Sequence, residues 1–110
     1  MSVLVVGDLM VAVSGRVDRL PHPGENLVLR EPVIYATGVA ANIALNLRGL
    51  DAEAHVAGAV GRDALGDLVL GELRSAGVGV ELVERSEEPT ATFVFMIEPN
   101  GERTMVGARG

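Results

Sequence analysis

The apolar positions of this 110-residue chain change rhythm several times, and each change marks an element. Val3-Leu4-Val5-Val6 is an unbroken apolar run that stops at Gly7. Continuous rather than alternating, it predicts a short strand buried on both faces, as in a parallel sheet covered by helices. From 11 to 35 the apolar pieces are shorter. Leu20-Pro21-His22-Pro23-Gly24-Glu25 reads as a turn, with Leu27-Val28-Leu29 and Val33-Ile34-Tyr35 as antiparallel edge strands beside it. The stretch from Gly38 to about Leu50 is apolar nearly all round, the mark of a buried helix. Ala54 to Val60 predicts a second buried strand. A second helix follows over about 63–76, where Leu65, Leu68, Val69 and Leu73 recur at spacings of three and four, and Gly77 stops it. Val78 to Val83 is a third strand. Thr90 to Ile97 and Arg103 to Val106 then flank Glu98-Pro99-Asn100-Gly101-Glu102, where Asn-Gly signals a hairpin.

The resulting order is strand, small β excursion, helix, strand, helix, strand, hairpin. It predicts a right-handed parallel α/β layer, with the excursion and the hairpin forming a separate small antiparallel sheet. Two or three parallel strands cannot cover both faces and both edges of segments this apolar. Residues 1–110 are therefore expected to be part of an open α/β sheet, and an unpaired sheet edge favours low stability or self-association.

Composition narrows the class. Hydrophobic residues make up 48%, with two Phe, one Tyr and no Trp, so the core must be aliphatic. Nine basic residues against fifteen acidic ones give a net charge of −6. That balance disfavours a phosphate-backbone binder, and no nucleic-acid partner is expected. The absence of Cys excludes disulfides and thiolate metal sites. No apolar run approaches the roughly 20 residues of a membrane span. Met1 to Val6 lacks the basic start of a signal peptide, so no membrane partner and a cytoplasmic location are expected.

Standard catalytic signatures are missing: no Walker loop, no Gly-x-Gly-x-x-Gly, no His-Glu-x-x-His and no Gly-x-Ser-x-Gly. His55 lies in an apolar strand and reads as structural, His22 as a solvated turn residue, and Glu84-Arg85-Ser86-Glu87-Glu88 as a solvated loop. No catalytic, cofactor-binding or metal-ligating residue is assigned. Asp8 differs, because it directly follows the first strand at its carboxyl end, the edge where open α/β sheets bind ligands. Asn42 also stands out, an amide in the small apolar run Ala36-Thr-Gly-Val-Ala-Ala-Asn-Ile-Ala-Leu45. It lies early in a helix whose free amides and Gly38 permit close ligand approach, and its amide both donates and accepts, which suits a sugar hydroxyl.

Taken in order, these stretches resemble the N-terminal third of the PfkB family of ribokinase-like carbohydrate kinases. The first strand and glycine are in VLVVGD, and the family's Pro-Gly-Glu turn is in LPHPGEN. TGVAANIALNLRGL is similar to the Gly-Gly-x-x-x-Asn-x-Ala signature. AHVAGAVGRDALGDLVLGELRSAGV is similar to the Val-Gly-x-Val-Gly-x-Asp-x-x-Gly stretch with its helix, and TATFVFMIEPNGERTM to the lid hairpin. The resemblance implies a partial three-layer α/β/α ribokinase-like fold with a small antiparallel β lid, its segments at about 11–35 and 90–107. It also implies ATP-dependent phosphoryl transfer to a sugar hydroxyl, with Asp8, Met10, Gly38, Val39 and Asn42 lining the sugar pocket and a homodimer formed through the lid. ATP and Mg2+ are implied as well, but the family's nucleotide site, Gly-Ala-Gly-Asp anion hole and catalytic-base Asp have no match in 1–110, so the chain alone is expected to be inactive.

Three positions depart from the family pattern. Ala12 stands where the family has a sugar-binding Asp, Thr37 replaces the first glycine of the Gly-Gly pair, and Asp51 falls where a glycine normally ends the helix. Ala12 and Thr37 raise an alternative: a non-catalytic small-molecule binding or dimerisation module derived from such a kinase.

Overall fold

In the computed structural model of the protein, which describes residues 2–109, the chain forms β1 (Ser2–Val6), β2 (Met10–Arg16), β3 (Arg30–Thr37), α1 (Val39–Gly49), β4 (Glu53–Gly61), α2 (Ala64–Ser75), β5 (Gly79–Ser86), β6 (Thr92–Ile97) and β7 (Arg103–Ala108). Strands β1, β4 and β5 form a parallel sheet in the order β1-β4-β5, with Val5 paired to Val56. The inward residues Val5, Val56 and Val60 meet Ala40, Ala41 and Ala44 of α1 and Val69, Leu70 and Leu73 of α2 in one core. Alanines on α1 let the helix approach the strands closely, which suits the aliphatic composition.

Burial of Val3 to Val6 on both faces does not occur. Val5 is buried, but Leu4 is 53% and Val6 74% exposed. Both helices pack on the same side of the parallel sheet, and strand side chains alternate, so every second residue faces out. Leu82 of β5 is exposed in the same way.

The excursion and the hairpin join in one second sheet, ordered β3-β2-β6-β7. This sheet is mixed rather than antiparallel throughout. β2 and β3 pair antiparallel, as do β6 and β7, but β2 and β6 run parallel, with Val13 opposite Val94. The reason is topological: β2 follows β1 and β6 follows β5, so both leave the parallel sheet from its carboxyl ends and run outward together.

Leu27 to Leu29 is not a strand, and β3 begins only at Arg30. The Leu29 side chain instead fills the space above Gly15, where a Cβ would strike it. Side chains close this loop: Arg19 holds Glu25 through two 2.7 Å bonds, and Arg30 pairs with Asp18 at 2.5 Å. The hairpin turn forms as the sequence predicts, with Gly101 at φ 85° and the Asn100 side chain accepting from the Glu102 amide. Asp51 adopts φ 61°, the conformation a glycine would take after α1.

His55 stands on the open face of the parallel sheet between two carboxylates. Its Nδ1 lies 2.8 Å from Glu81 Oε1 and its Nε2 3.2 Å from Glu53 Oε2, joining β4 to β5. Hydrogen bonds to Glu53 and then Glu81 raise its pKa above the ordinary 6.5. Its imidazolium in turn holds Glu53 below the usual 4.5, while backbone bonding and His55 lower Glu81. The histidine's stabilisation is complete below its unfolded value and fades as pH rises through its raised folded value. The glutamates' stabilisation is complete above their unfolded value and fades as pH falls through the lowered one. The thermal-midpoint gap between the protein and its His55→Gln variant should therefore be widest between about pH 4.5 and 6.5 and narrow on either side. A melting series across pH checks this.

Candidate functional site

Within the described residues the chain passes between the two sheets at three places: Gly7–Leu9 after β1, Gly38 before α1, and 87–91 between β5 and β6. Between the first and third lies a cleft of about 360 Å³ whose walls include Asp8, Met10, Gly61, Glu88, Phe93 and Arg109. It opens at the carboxyl ends of the parallel strands, the edge at which open sheets of this type take ligands.

Gly38 fixes the shape of the first crossing. Its backbone sits at φ 105°, ψ 158°, and a Cβ there would run into the Asp8 carbonyl oxygen. The same oxygen accepts the Ala40 amide at 3.3 Å, so the start of α1 docks onto the Asp8 strap. Gly7 donates to Ala57 O at 3.2 Å, tying that strap to β4.

The third crossing is held by Asp63, the N-cap of α2. Its Oδ1 accepts the Gly66 amide at 2.8 Å and the Thr90 hydroxyl at 2.5 Å, and its Oδ2 accepts the Thr90 amide at 3.0 Å. The Thr90 hydroxyl also accepts from Gly61 N at 2.8 Å. These bonds, the Thr90 hydroxyl foremost, hold the Asp63 carboxyl below its ordinary value. Arg85 then ties β5 to the same place, donating to Gly61 O at 3.0 Å and to Asp67 at 2.9 Å. Arg62 pairs with Glu87 at 2.5 Å. The acidic stretch 84–88 is thus half strand and half ion-paired, not a free solvated loop.

Of the residues expected at a sugar pocket, Asp8 and Met10 line the cleft and Gly38 is buried directly behind Asp8. Val39 and Asn42 are exposed on the first turns of α1 and lie outside the cleft lining. Thr37, at the substituted glycine, places its hydroxyl 3.4 Å from Asn42 Oδ1. Ala12 is fully buried on β2, between Tyr35 of β3 and Phe93 of β6 in register. Glu88, Phe93 and Arg109 were not legible as cleft residues, because only the pairing of distant strands brings them there. Asp63 did carry a signal: an N-cap aspartate three residues ahead of a helical glycine.

Carboxylates at Asp8 and Glu88, with Ser86 beside them, can accept and exchange hydrogen bonds with a polyol. One arginine against two carboxylates is a poor cradle for a triphosphate. No group of three or more His, Asp or Glu placed to hold a metal occurs among the described residues. ATP and Mg2+ therefore find no fitting donor set here, and no helix among these residues is long and apolar enough to cross a membrane.

The sequence matches the pfkB family carbohydrate kinase over residues 1–110. The chain belongs to that family. It is 37% identical over 111 residues to the ATP-dependent ribose-1-phosphate kinase of Halopiger xanaduensis, covering 98% of this chain and 37% of that one. Arabidopsis thaliana ribokinase, solved with ribose and ATP, superposes with a TM-score of 0.86 at 28% identity, over 96% of this chain and 35% of that one. Cryptococcus neoformans ribokinase, solved with ADP, gives 0.78 at 26% identity over 96% and 33%. The ribokinase-like α/β fold is thereby shown, and the chain spans about a third of the length of these relatives.

Because Gly38 occupies a region of backbone space closed to other residues, Gly38→Ala should cost about 2 kcal/mol or more. Urea denaturation measures the loss.

Proposed function

We propose that residues 1–110 form the sugar-binding and lid portion of an ATP-dependent carbohydrate kinase. The observation that carries this reading is the cleft at the carboxyl ends of the parallel strands, with the Asp8 carboxylate in its wall and the mixed sheet along its side. Asp8 accepts sugar hydroxyls there, and Asn42, one turn beyond Gly38, supplies an amide at the rim. The mixed sheet, residues 11–35 and 90–107, acts as the lid, excluding water from the hydroxyl that receives the phosphoryl group. ATP and Mg2+ supply and activate that group when bound, and the resemblance puts their sites in family segments beyond 1–110. The residues present bind, orient and cover the acceptor. The exposed apolar residues Val33, Ile34, Met105 and Val106 on the mixed sheet fit a homodimer formed through the lid in the cytoplasm.

A non-catalytic binding or dimerisation module is the second reading, favoured by one observation: Ala12, fully buried, offers no hydrogen-bonding group where the family pattern has a carboxylate.

A thermal-shift titration with ribose and a panel of other pentoses and hexoses tests the proposal. A shift with at least one sugar, abolished in Asn42→Ala and in Asp8→Ala, is the expected result. A shift unchanged in both variants would remove these residues from the site. Incubated with ATP, Mg2+ and the same sugars, the 110-residue chain is expected to form no sugar phosphate above background. Product formation would overturn the assignment of the phosphoryl-transfer groups to other segments.

A further inference from the structure

The link from β5 to β6 carries the chain from one sheet to the other, and a buried polar group sits in its middle. Thr90 is only 4% exposed and is the buried polar residue among those described. Its hydroxyl is used in both senses, donating to Asp63 Oδ1 and accepting from Gly61 N, while its amide donates to Asp63 Oδ2. The next residue, Ala91, accepts the Val11 amide of β2 at 2.9 Å through its carbonyl. Thr92, the first residue of β6, donates its own hydroxyl to Thr90 O. An unbroken set of bonds therefore runs from the α2 N-cap, through Thr90, into both inner strands of the mixed sheet.

Two glycines clear the room for it. A Cβ at Gly61 would lie 2.7 Å from both Glu88 O and Thr90 N, and one at Gly66 would run into Gly61 O. The spacing Gly61-x-Asp63-x-x-Gly66 is thus accounted for by packing around Thr90 rather than by ligand contact. Glu88, Pro89, Ala91 and Phe93, on either side of Thr90, all line the cleft. A second tie from the same helix, the Ala36 amide donating to Glu72 Oε2 at 2.7 Å, holds β3.

From these contacts we infer that Asp63 and Thr90 form the fixed pivot of the mixed sheet, positioning residues that set the angle at which β6 walls the cleft. A part-buried carboxylate accepting several donors, one of them from the buried Thr90, is among the stronger fixed points available to a backbone. Its partner is a loop residue that leads straight into β6, so the bond anchors the mixed sheet to α2, and its loss loosens that sheet rather than the parallel one. The consequence for a bound sugar rests on the lid reading, but the pivot itself can be read without ligand.

Thr90→Val keeps the shape and removes the hydroxyl, leaving Gly61 N and Asp63 each short of a partner. Asp63→Asn keeps an oxygen for Gly66 N, and Asn is a good N-cap, but its NH2 cannot accept the Thr90 amide. Amide hydrogen exchange of the ligand-free protein, resolved by residue, is the measurement. In both variants the amides of β2 and β6 should exchange about tenfold or more faster, while those of β1 and of β4 ahead of Gly61, whose own amide bonds the Thr90 hydroxyl, stay within about twofold of wild type. Thr90→Ser should restore the wild-type pattern. Equal acceleration in both sheets, or none in either, would overturn the pivot and leave Asp63 as a helix cap alone. Should Thr90→Val not fold, Asp63→Asn decides the matter, since its helix keeps its cap. Absence of any sugar-induced thermal shift in the wild-type protein, with the variants still exchanging faster in β2 and β6 alone, would instead count against the sugar reading and leave the pivot standing.

Discussion

A chain that shuttles between two sheets must bury its crossings without leaving backbone donors and acceptors unpaired, and that constraint organises this fold. A buried amide without a partner costs about 1–3 kcal/mol, so each crossing needs a specific acceptor. The first is satisfied by Gly7 N on Ala57 O and by Asp8 O receiving Ala40 N. The second is made by Gly38, whose missing side chain lets α1 begin against the Asp8 carbonyl. At the third, β2 reaches only the Ala91 carbonyl, through Val11 N, and a side chain, Asp63, accepts the amide and hydroxyl of Thr90. The first and third crossings enclose the cleft, with Gly38 packed behind Asp8, so the groups that satisfy the backbone also fix its walls.

Helix α2 is the element on which both sheets depend. Its inward side chains, Val69, Leu70 and Leu73, belong to the core beneath the parallel sheet. Its N-cap holds Thr90 ahead of β6, and Glu72, two turns later, holds Ala36 of β3. One rigid rod thus touches the mixed sheet at two points while being packed into the parallel one. Arg85 adds a third strut, from β5 to the Gly61 carbonyl and to Asp67 on the first turn of α2. Two of the four charges that look like a solvated run in the sequence, Arg85 and Glu87, are spent beside this joint, on Asp67 and Arg62.

The elements that depend on local pattern were legible in the sequence. Both helices, the parallel strands and the Asn100-Gly101 hairpin follow from period, caps and turn chemistry, and the ordered set of motifs was enough to indicate the family. What the pattern could not reveal was side and partner. Val3 to Val6 reads as doubly buried because every residue is apolar, yet only the alternate position Val5 meets the helices. Leu27-Val28-Leu29 has strand composition, but Leu29 fills the gap over Gly15 and the Arg19–Glu25 pair closes the loop. Parallel pairing of β2 with β6 joins residues some eighty apart in sequence, beyond any local signal. The cleft suffered the same limit: Asp8 was found because it follows a strand end and Met10 through the family resemblance, whereas Phe93 and Arg109 arrive through that long-range pairing.

The sugar reading turns on how the cleft compensates for Ala12. Met10 and Ala12 lie on the same side of β2, because alternate residues of a strand share a face, and Met10 lines the cleft. A carboxylate at 12 would stand about 7 Å further out along the strand than Met10. In this chain the nearest carboxylate on that path is Asp8, on the other side of Met10 and hard against the parallel sheet. On the proposed reading, hydroxyl recognition is thereby moved from the outer part of the mixed sheet toward its root, where Glu88 and Ser86 also stand. The Thr37 hydroxyl, reaching Asn42 where the family pattern has a glycine, adds a polar group at the same root. On the proposed reading, the ligand that fits best presents its hydroxyls to the floor of the cleft and an apolar edge to Met10 and Phe93.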